Sequence, residues 1–491
     1  MMSQKQFDDY RMTYASFIYK DYHARVEDGE LKVFYEFEIP GLRSFTSKWV
    51  FPLKITGPEG ETADCSGAAP AEGPAAENAS RIAGLEDPLQ DPILKNMLFS
   101  LGMAETISYF KTVCPKRVEI PCGNLSKWQQ AWWKKLYFHG LGEFLYLNDI
   151  TVDLEDLVHF APASETEEAP RHDETSYEGY LVPVGGGKDS VVSLELLRDE
   201  RIVTYVINGN ETTKNVCRIC DDRQGDYVAR RILDKGILEL NEQGYLNGHI
   251  PFSAVVAFSS VVAAYLLGLK DITLSNETSA NESTVKGSTV NHQYSKSYEF
   301  ESDFTEYFSR LTDSDIHYYS LLRPLTELQI ASLFARHTAY HKAFRSCNRG
   351  SKQGIWCCNC PKCLFVYIIL LSFLSIPQLH AIFGEDLLEK ESLDADFRAL
   401  TGIADNKPFE CVGTRREVHA SLSDFVRRGG HSLLTDRYTK ELSRIPELSA
   451  QEGFSTDIDE MLKEWVSENH VPEALCERIR EALRQGRRTE G

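Results

Sequence analysis

Residues 180–190 read YLVPVGGGKDS, and the interpretation of the whole chain turns on them. A β-prone run, Tyr180, Leu181, Val182 and Val184, enters the three glycines Gly185, Gly186 and Gly187. Lys188, Asp189 and Ser190 then lead into a helical pattern, VVSLELLRDE. A strand, a glycine turn and a helix N-terminus in immediate succession make an anion cradle. Glycines lack Cβ, so backbone N–H groups can close around a phosphate, and the helix dipole favours negative charge there. Pro183 removes one backbone donor, which a strand end tolerates. A ligand-free glycine turn would account for the glycines and Pro183 but would leave the Lys-Asp-Ser without a purpose.

Outward from this stretch, β and α patterns alternate. They read as a strand to Val184, a helix to about Glu200, a strand over 202–207, a helix near 225–233, an apolar helix over 252–269 and a strand over 272–274. Strands separated by helices imply a parallel sheet covered on both faces, with ligands beyond the carboxyl ends of the strands. The glycine loop, Asn208 and the loop after Leu274 are therefore expected to converge on one cleft. That last loop, SNETSANES, sets Glu277 and Glu282 five residues apart. Two carboxylates beside a nucleotide pocket suit Mg²⁺ or proton transfer; helix capping and turn formation account for them equally well. Further on, VNHQYSKSYEFE brings His292, Tyr294 and Lys296 together, as a surface loop or as a loop that grips a polyanion.

Five of the 12 cysteines lie in CNRGSKQGIWCCNCPKC, residues 347–363. Cys347, Cys357, Cys360 and Cys363 offer four thiolates with the spacing of a tetrahedral Zn²⁺ site, with Cys358 surplus. A set of buried, metal-free cysteines is the alternative. Cys217-x-x-Cys220 is a lone CxxC, redox-active or accidental, and Cys114 and Cys122 have no ligand-like neighbours. In KPFECVGTRRE, Cys411 follows Glu410, an acid/base pair or an inert loop thiol.

Composition sets the wider limits. Hydrophobic content of 42% and charged content of 26% are those of a soluble globular protein, and 491 residues call for two or three domains. A net charge of −20 argues against a broad nucleic-acid-binding face. The start, MMSQKQFDDYRMTYASF, lacks a basic region followed by an apolar one, so a cytoplasmic location is expected. The apolar runs at 252–269 and 364–376 read as buried helices rather than membrane spans. Residues 1–161 are expected to form an α+β domain, with strands over 31–39 and 48–55, a loop over 56–78, and helices carrying Trp128, Trp132 and Trp133 as core. A charged linker over 162–177, an α/β domain over 178–384 and a helical region over 385–491 follow.

The glycine loop is not a Walker A loop, because Asp189 stands between Lys188 and Ser190. It resembles the PP-loop of the ATP pyrophosphatases, Ser-Gly-Gly-x-Asp-Ser, through Gly186, Gly187, Asp189 and Ser190, with Gly185 in place of the first serine. That resemblance implies a PP-loop domain that cleaves ATP to AMP and pyrophosphate while adenylating a substrate oxygen. The cysteine spacing is similar to that of the zinc site in the 7-cyano-7-deazaguanine synthases, another PP-loop family. VPVGGGKDS, GHIPFSAVVAF, LSNETSANE, NHQYSKSYEFE, the cysteine cluster and KPFECVGT together resemble the UDP-N-acetylmuramoyl-L-alanyl-L-glutamate epimerases of peptidoglycan synthesis.

The resemblance implies an isomerase that uses ATP and Mg²⁺, carries a structural Zn²⁺ and acts on UDP-MurNAc-L-Ala-L-Glu, with no nucleic-acid or membrane partner. It places pyrophosphate on Gly186, Gly187 and Ser190, with Lys188 offsetting its charge and Asp189 orienting the loop or Mg²⁺. Cys411, His292, Glu277 and Glu282 are the candidates for the acid/base pair. A PP-loop ligase or tRNA-modifying enzyme, and a non-catalytic nucleotide sensor, are the alternative expectations.

Overall fold

The structure is a computed structural model that describes residues 4–55, 81–161, 163–164, 170–220, 223–285, 288, 290–404, 406–442 and 457–485. The loop expected over 56–78 and part of the linker expected over 162–177 lie outside these residues.

Strands β1 (Ser16–Glu27), β2 (Glu30–Ile39) and β3 (Arg43–Pro52) form an antiparallel meander. The alternation legible in LKVFYEFEI is what buries Leu31, Val33, Tyr35, Phe37 and Ile39 on one face. The tight turn before β2 is Asp28-Gly29, both at positive φ, as a two-residue hairpin requires. β4 (Arg117–Glu119) pairs parallel with β1, and β6 (His159–Ala161) pairs parallel with β4. β5 (Leu125–Ser126) and β7 (Ala163–Ser164) make a separate small pair. The second half supplies β8 (Tyr180–Pro183), β9 (Ile202–Ile207), β10 (Gly225–Ile232), β11 (Asp271–Leu274) and β12 (His317–Ser320), all mutually parallel.

All but the small pair join in one α/β sheet of ten strands, ordered β12-β11-β8-β9-β10-β3-β2-β1-β4-β6. The join is antiparallel, with Arg230 opposite Val50, so strands from either side of residues 162–177 lie in one sheet. A buried ion pair fastens it. The Arg231 guanidinium meets Glu105 at 2.6 Å, and the same carboxylate accepts from Trp49 Nε1 at 2.8 Å. Removing one partner of such a pair costs roughly 3–5 kcal/mol, because a buried charge is left alone.

One expectation is overturned. Residues 225–233 are strand β10, not a helix. In GDYVARRI, Gly225, Tyr227, Ala229 and Arg231 are buried while the residues between are not, a period of two rather than 3.6.

Both faces of the parallel half are covered. On β8, Leu181 packs into the core shared with the meander and Val182 into the opposite one; on β9, Val203 and Tyr205 face the first, Ile202 and Val206 the second. The helix Phe252–Leu267 is apolar on all sides because it lies between sheet and the helix Pro92–Phe110. The helix Pro361–Leu370 is buried along its whole length in the opposite core. Trp133 is fully buried, with Trp128 and Trp132 packed against the same core. Beyond residue 385 the described chain is helical, and Leu475 and Ile479 seat the helix Glu473–Gln485. Among the described residues no helix is long and apolar enough to cross a membrane.

Candidate active site

Strand order reverses at β8, which has β9 on one side and β11 on the other. Crevices open at the carboxyl ends of strands at such a point. The loop after β8 carries the glycines, and the loop after β11 carries Ser275, Asn276 and Glu277. Between them is a cavity of about 200 Å³ lined by Gly185, Gly187, Asp189, Glu277, Lys296, Glu327, Lys362 and Cys411 among others.

The glycine loop is shaped by close approach. Gly186 has φ +85°, and a Cβ there would stand 2.7 Å from Thr212 Cγ2. A Cβ on Gly187 would meet Ser346 Oγ at 2.9 Å. Gly187 caps the helix Lys188–Leu196, whose first backbone N–H, that of Lys188, donates to Ser346 Oγ at 3.4 Å. The polar side chains that follow divide. Asp189 lines the cavity, while the Ser190 hydroxyl donates to Gly187 O at 2.9 Å within the loop. Lys188 is fully buried, its ammonium bonded to Asp189 and Glu327. Burial opposes its charge, but the two carboxylates hold its pKa above the ordinary lysine value. The cations lining the cavity are Lys296, Lys362 and Arg345. Glu327 is pushed up to about 8 by burial, against the lowering pull of Lys188, and the neighbouring carboxylates Asp189 and Glu277 push it the same way as burial.

The two carboxylates after β11 do not share a site. Glu277 is buried, accepts from Ser279 Oγ at 2.7 Å and lines the cavity. Glu282 pairs with Lys407, and its side chain is 43% exposed. The loop is held from below by Arg323, which has no exposed surface. Its guanidinium donates to Glu277 O at 2.7 Å, to Lys296 O at 2.6 Å and to the Glu301 carboxylate at 2.9 Å. One buried cation therefore sets the backbone under two cavity residues.

Cys411 is reached from three sides. Lys296 Nζ donates to its sulfur at 3.1 Å, His292 Nε2 lies 3.9 Å from it, and Lys362 bonds its carbonyl. Burial pushes the thiol up, but Lys296, His292 and Lys362 outweigh that and bring it down to about 6. His292 moves the other way: burial disfavours its charge, yet its bonds to Cys411 and Glu143 raise it to about 9. At neutral pH the arrangement is a thiolate between an ammonium and an imidazolium, the state in which a cysteine acts as base or nucleophile. Glu410 is not the partner of the thiol; its carboxylate is bonded by Asn348. Tyr294 is buried against His139.

Cys347, Cys357, Cys360 and Cys363 place their sulfurs within 4.8 Å of one another. Cys360–Cys363 and Cys357–Cys363 are 3.4 and 3.7 Å apart, close to the edge of about 3.8 Å that a tetrahedron with Zn–S bonds near 2.3 Å has. Cys358 is turned away at φ +49°, its sulfur donating to Phe383 O. The cluster abuts the cavity: Ser346 and Asn348 flank Cys347, Lys362 precedes Cys363, and all three line it. Cys217 and Cys220 are buried and form no part of this group.

Glu143, Glu327 and Arg323 lie in no stretch singled out above, and His249 in GHIPFSAVVAF and Lys362 between Cys360 and Cys363 were given no role there. Glu143 lies on the short helix Gly142–Leu147 in the first third of the chain, and its carboxylate meets both His292 and His249.

The chain resembles known proteins over most of its length. The family model described as the MurL N-terminal domain matches residues 79–321, and that of the MurL C-terminal domain matches residues 343–448. A protein of Xanthomonas oryzae pv. oryzae named UDP-N-acetyl-alpha-D-muramoyl-L-alanyl-L-glutamate epimerase is 36% identical over 77% of this chain and 84% of its own. Proteins of the same name from Micromonospora sp. and Salinispora tropica are each 34% identical, over 77% and 78% of this chain and 83% of their own. No solved structure matches. The glycine loop, Glu277, His292, the cysteine cluster and Cys411 all fall within the two matched segments, and the chain belongs to the MurL family of UDP-N-acetyl-alpha-D-muramoyl-L-alanyl-L-glutamate epimerases.

Proposed function

We propose that the chain is an ATP- and Mg²⁺-dependent epimerase that converts the terminal L-glutamate of UDP-MurNAc-L-Ala-L-Glu to D-glutamate through an acyl-adenylate. The observation that carries this reading is the sharing of one cavity by an anion-cradling loop and a lysine-flanked cysteine. The chemistry needs both. A proton α to an ionised carboxylate is hard to remove, because the carbanion would add charge to charge. Attack of that carboxylate on the α-phosphorus of ATP expels pyrophosphate and leaves a neutral acyl carbonyl that can delocalise the carbanion. The Cys411 thiolate then takes the α-proton, a second group returns one on the other face, and water frees the D-glutamyl product and AMP. Lys296 and Lys362 hold negative charge in the cavity throughout.

The backbone of this loop is where the phosphates would sit, since Gly185 and Gly187 line the cavity and a Cβ on Gly186 or Gly187 would push the loop off Thr212 or Ser346. Asp189 and Glu277 are the carboxylates on the cavity wall placed to hold Mg²⁺, which when bound neutralises phosphate charge. Ser190 and Lys188 serve the loop from within: the hydroxyl ties its turn, and the ammonium sets Asp189 and Glu327. Glu282, outside the cavity lining, takes no part in this scheme. The four clustered cysteines fit Zn²⁺, which would fix the chain segments that bring Ser346, Asn348 and Lys362 to the cavity. Elemental analysis is expected to find one zinc per chain. Cys357→Ser should lower both metal content and thermal stability, and a metal-free protein of full activity would remove this assignment.

Deuterium labelling tests the reaction. Turnover in D₂O is expected to place deuterium at the glutamate α-carbon, only with ATP and Mg²⁺ present. A ligase using the same adenylate has no reason to break that bond, and a sensor would cleave no ATP. ATP cleavage with full retention of the α-proton would overturn the epimerase reading in favour of the ligase.

A further inference from the structure

The mechanism above uses a thiolate but leaves unexplained what keeps His292 charged in a site that disfavours charge. Its side chain is only 11% exposed, and the Glu143 carboxylate bonded to its Nδ1 is 10% exposed. The opposite ring nitrogen, Nε2, faces the Cys411 sulfur at 3.9 Å. One imidazole therefore bridges a buried carboxylate and a half-buried thiol, with a different nitrogen for each. His249 Nδ1 approaches the same Glu143 oxygen at 3.4 Å, and its ring lies 4.6 Å from that of His292. The four groups come from segments that share no motif: the helix Gly142–Leu147, the loop before the helix Phe252–Leu267, the loop before Tyr294 and the loop before Arg415.

We infer that Glu143 is a positioning residue of the active site, which fixes the tautomer and charge of His292 and through it holds Cys411 as a thiolate. This rests on the proposed role of Cys411. With Nδ1–H directed at Glu143, Nε2 is the nitrogen left to take the thiol proton, and the resulting imidazolium is bonded at both ends. The charged and titratable groups facing Cys411 are Lys296 at its sulfur, His292 at its sulfur, Lys362 at its carbonyl and the neighbouring Glu410. Lys296 and Lys362 favour the thiolate whatever the state of His292, and Glu410 opposes it. Glu143 does not touch the thiol, so any effect of its removal must pass through the imidazole. His249 is lowered to about 4 by burial and by His292's charge, so the second imidazole stands beside Glu143 uncharged and adds no competing cation.

The test needs no substrate. Cys411 in the full chain is alkylated with iodoacetamide across pH 4.5–9, and its labelling is read peptide by peptide. The wild type is expected to turn on near pH 6, with reactivity lost as pH falls through that value. Glu143→Gln should move the midpoint up by about one pH unit, since the carboxylate that favoured the imidazolium is gone. His292→Asn should move it at least as far. The double variant should match His292→Asn alone, because the carboxylate acts only through the imidazole. Glu155→Gln, an exposed carboxylate paired with Lys134, should leave the profile unchanged.

Should Glu143→Gln fail to fold, histidine ¹⁵N NMR on the wild type decides: His292 is expected to stay protonated at neutral pH and His249 to stay neutral. A Cys411 profile indifferent to Glu143→Gln, additive shifts in the double variant, or a neutral His292 at pH 7 would each overturn the inference. Failure of the role proposed for Cys411 would appear separately, as turnover surviving the loss of the thiol, and failure of the epimerase reading as ATP cleavage with the α-proton retained.

Discussion

Gly186→Val is expected to cut pyrophosphate release from ATP a hundred- to thousandfold while far-UV circular dichroism and zinc content stay those of the wild type. Two separate costs meet at this position. The backbone sits at φ +85°, where an L-residue is strained, and β-branching worsens it. The new Cβ would also stand 2.7 Å from Thr212 Cγ2, in the helix Glu211–Ile219 after β9. The loop can relieve the clash only by moving, and movement takes its N–H groups off the phosphate. Losing one preorganised donor typically costs about 2.7–4 kcal/mol, which corresponds to the fall stated. The neighbouring glycine provides the contrast. A Cβ on Gly185 has nothing within 4 Å, and its φ is not positive, so Gly185→Ser should keep near-wild-type release. Near-normal release from Gly186→Val, or equal damage from both variants, would mean that this loop does not hold the nucleotide.

The parts of this site that were legible in the sequence are those built from contiguous residues. A strand, three glycines and a helix start have to be adjacent to make a cradle, so YLVPVGGGKDS announces itself. The four cysteines are legible for the same reason: three of them lie within seven residues, and the fourth stands one short loop away. The length of its apolar run marked the helix Phe252–Leu267, whereas β10 was misread because its alternation is short and interrupted by Asp226, Arg230 and Arg231.

His292 and Lys296 were legible together as one short stretch, but Glu143 and His249 join them around Cys411 only through the fold. Glu143 in particular sits in GLGEFLYLN, where nothing separates it from an ordinary surface glutamate. Side-chain direction was also out of reach. The family resemblance implied that Lys188 offsets phosphate charge, whereas in the structure its ammonium is turned inward onto Asp189 and Glu327. Equally, five residues of spacing placed Glu277 and Glu282 together, while the intervening 3₁₀ turn Thr278–Asn281 sends one into the cavity and the other to Lys407.

Cys411→Ala is expected to stop epimerisation, by a factor of a thousand or more, while pyrophosphate release from ATP and the dipeptide substrate continues. The two steps use different atoms. In the proposed reaction, adenylation uses the backbone of the glycine loop, the carboxylates proposed for Mg²⁺ and the substrate's own carboxylate as nucleophile, none of which is the thiol. Proton abstraction needs a base whose pKa lies near the operating pH, and the Cys411 thiol, brought down to about 6 against the cost of burial, is such a group. Removing a positioned general base typically costs about a hundred- to ten-thousandfold.

The larger end of that range is expected here, because alanine also leaves Lys296 facing an empty position, with no thiolate to offset its charge. Cys411→Ser should be nearly as damaged, since a hydroxyl does not ionise at neutral pH even beside an ammonium. Both variants should hydrolyse ATP without product, releasing AMP and unchanged L-glutamyl substrate, and in D₂O neither should place label on the α-carbon. Chiral analysis of the glutamate together with AMP counted in the same sample reads both outcomes at once. A Cys411→Ala enzyme that still inverts the α-carbon would assign the base to another residue. One that releases no AMP would mean that the thiol belongs to the nucleotide step.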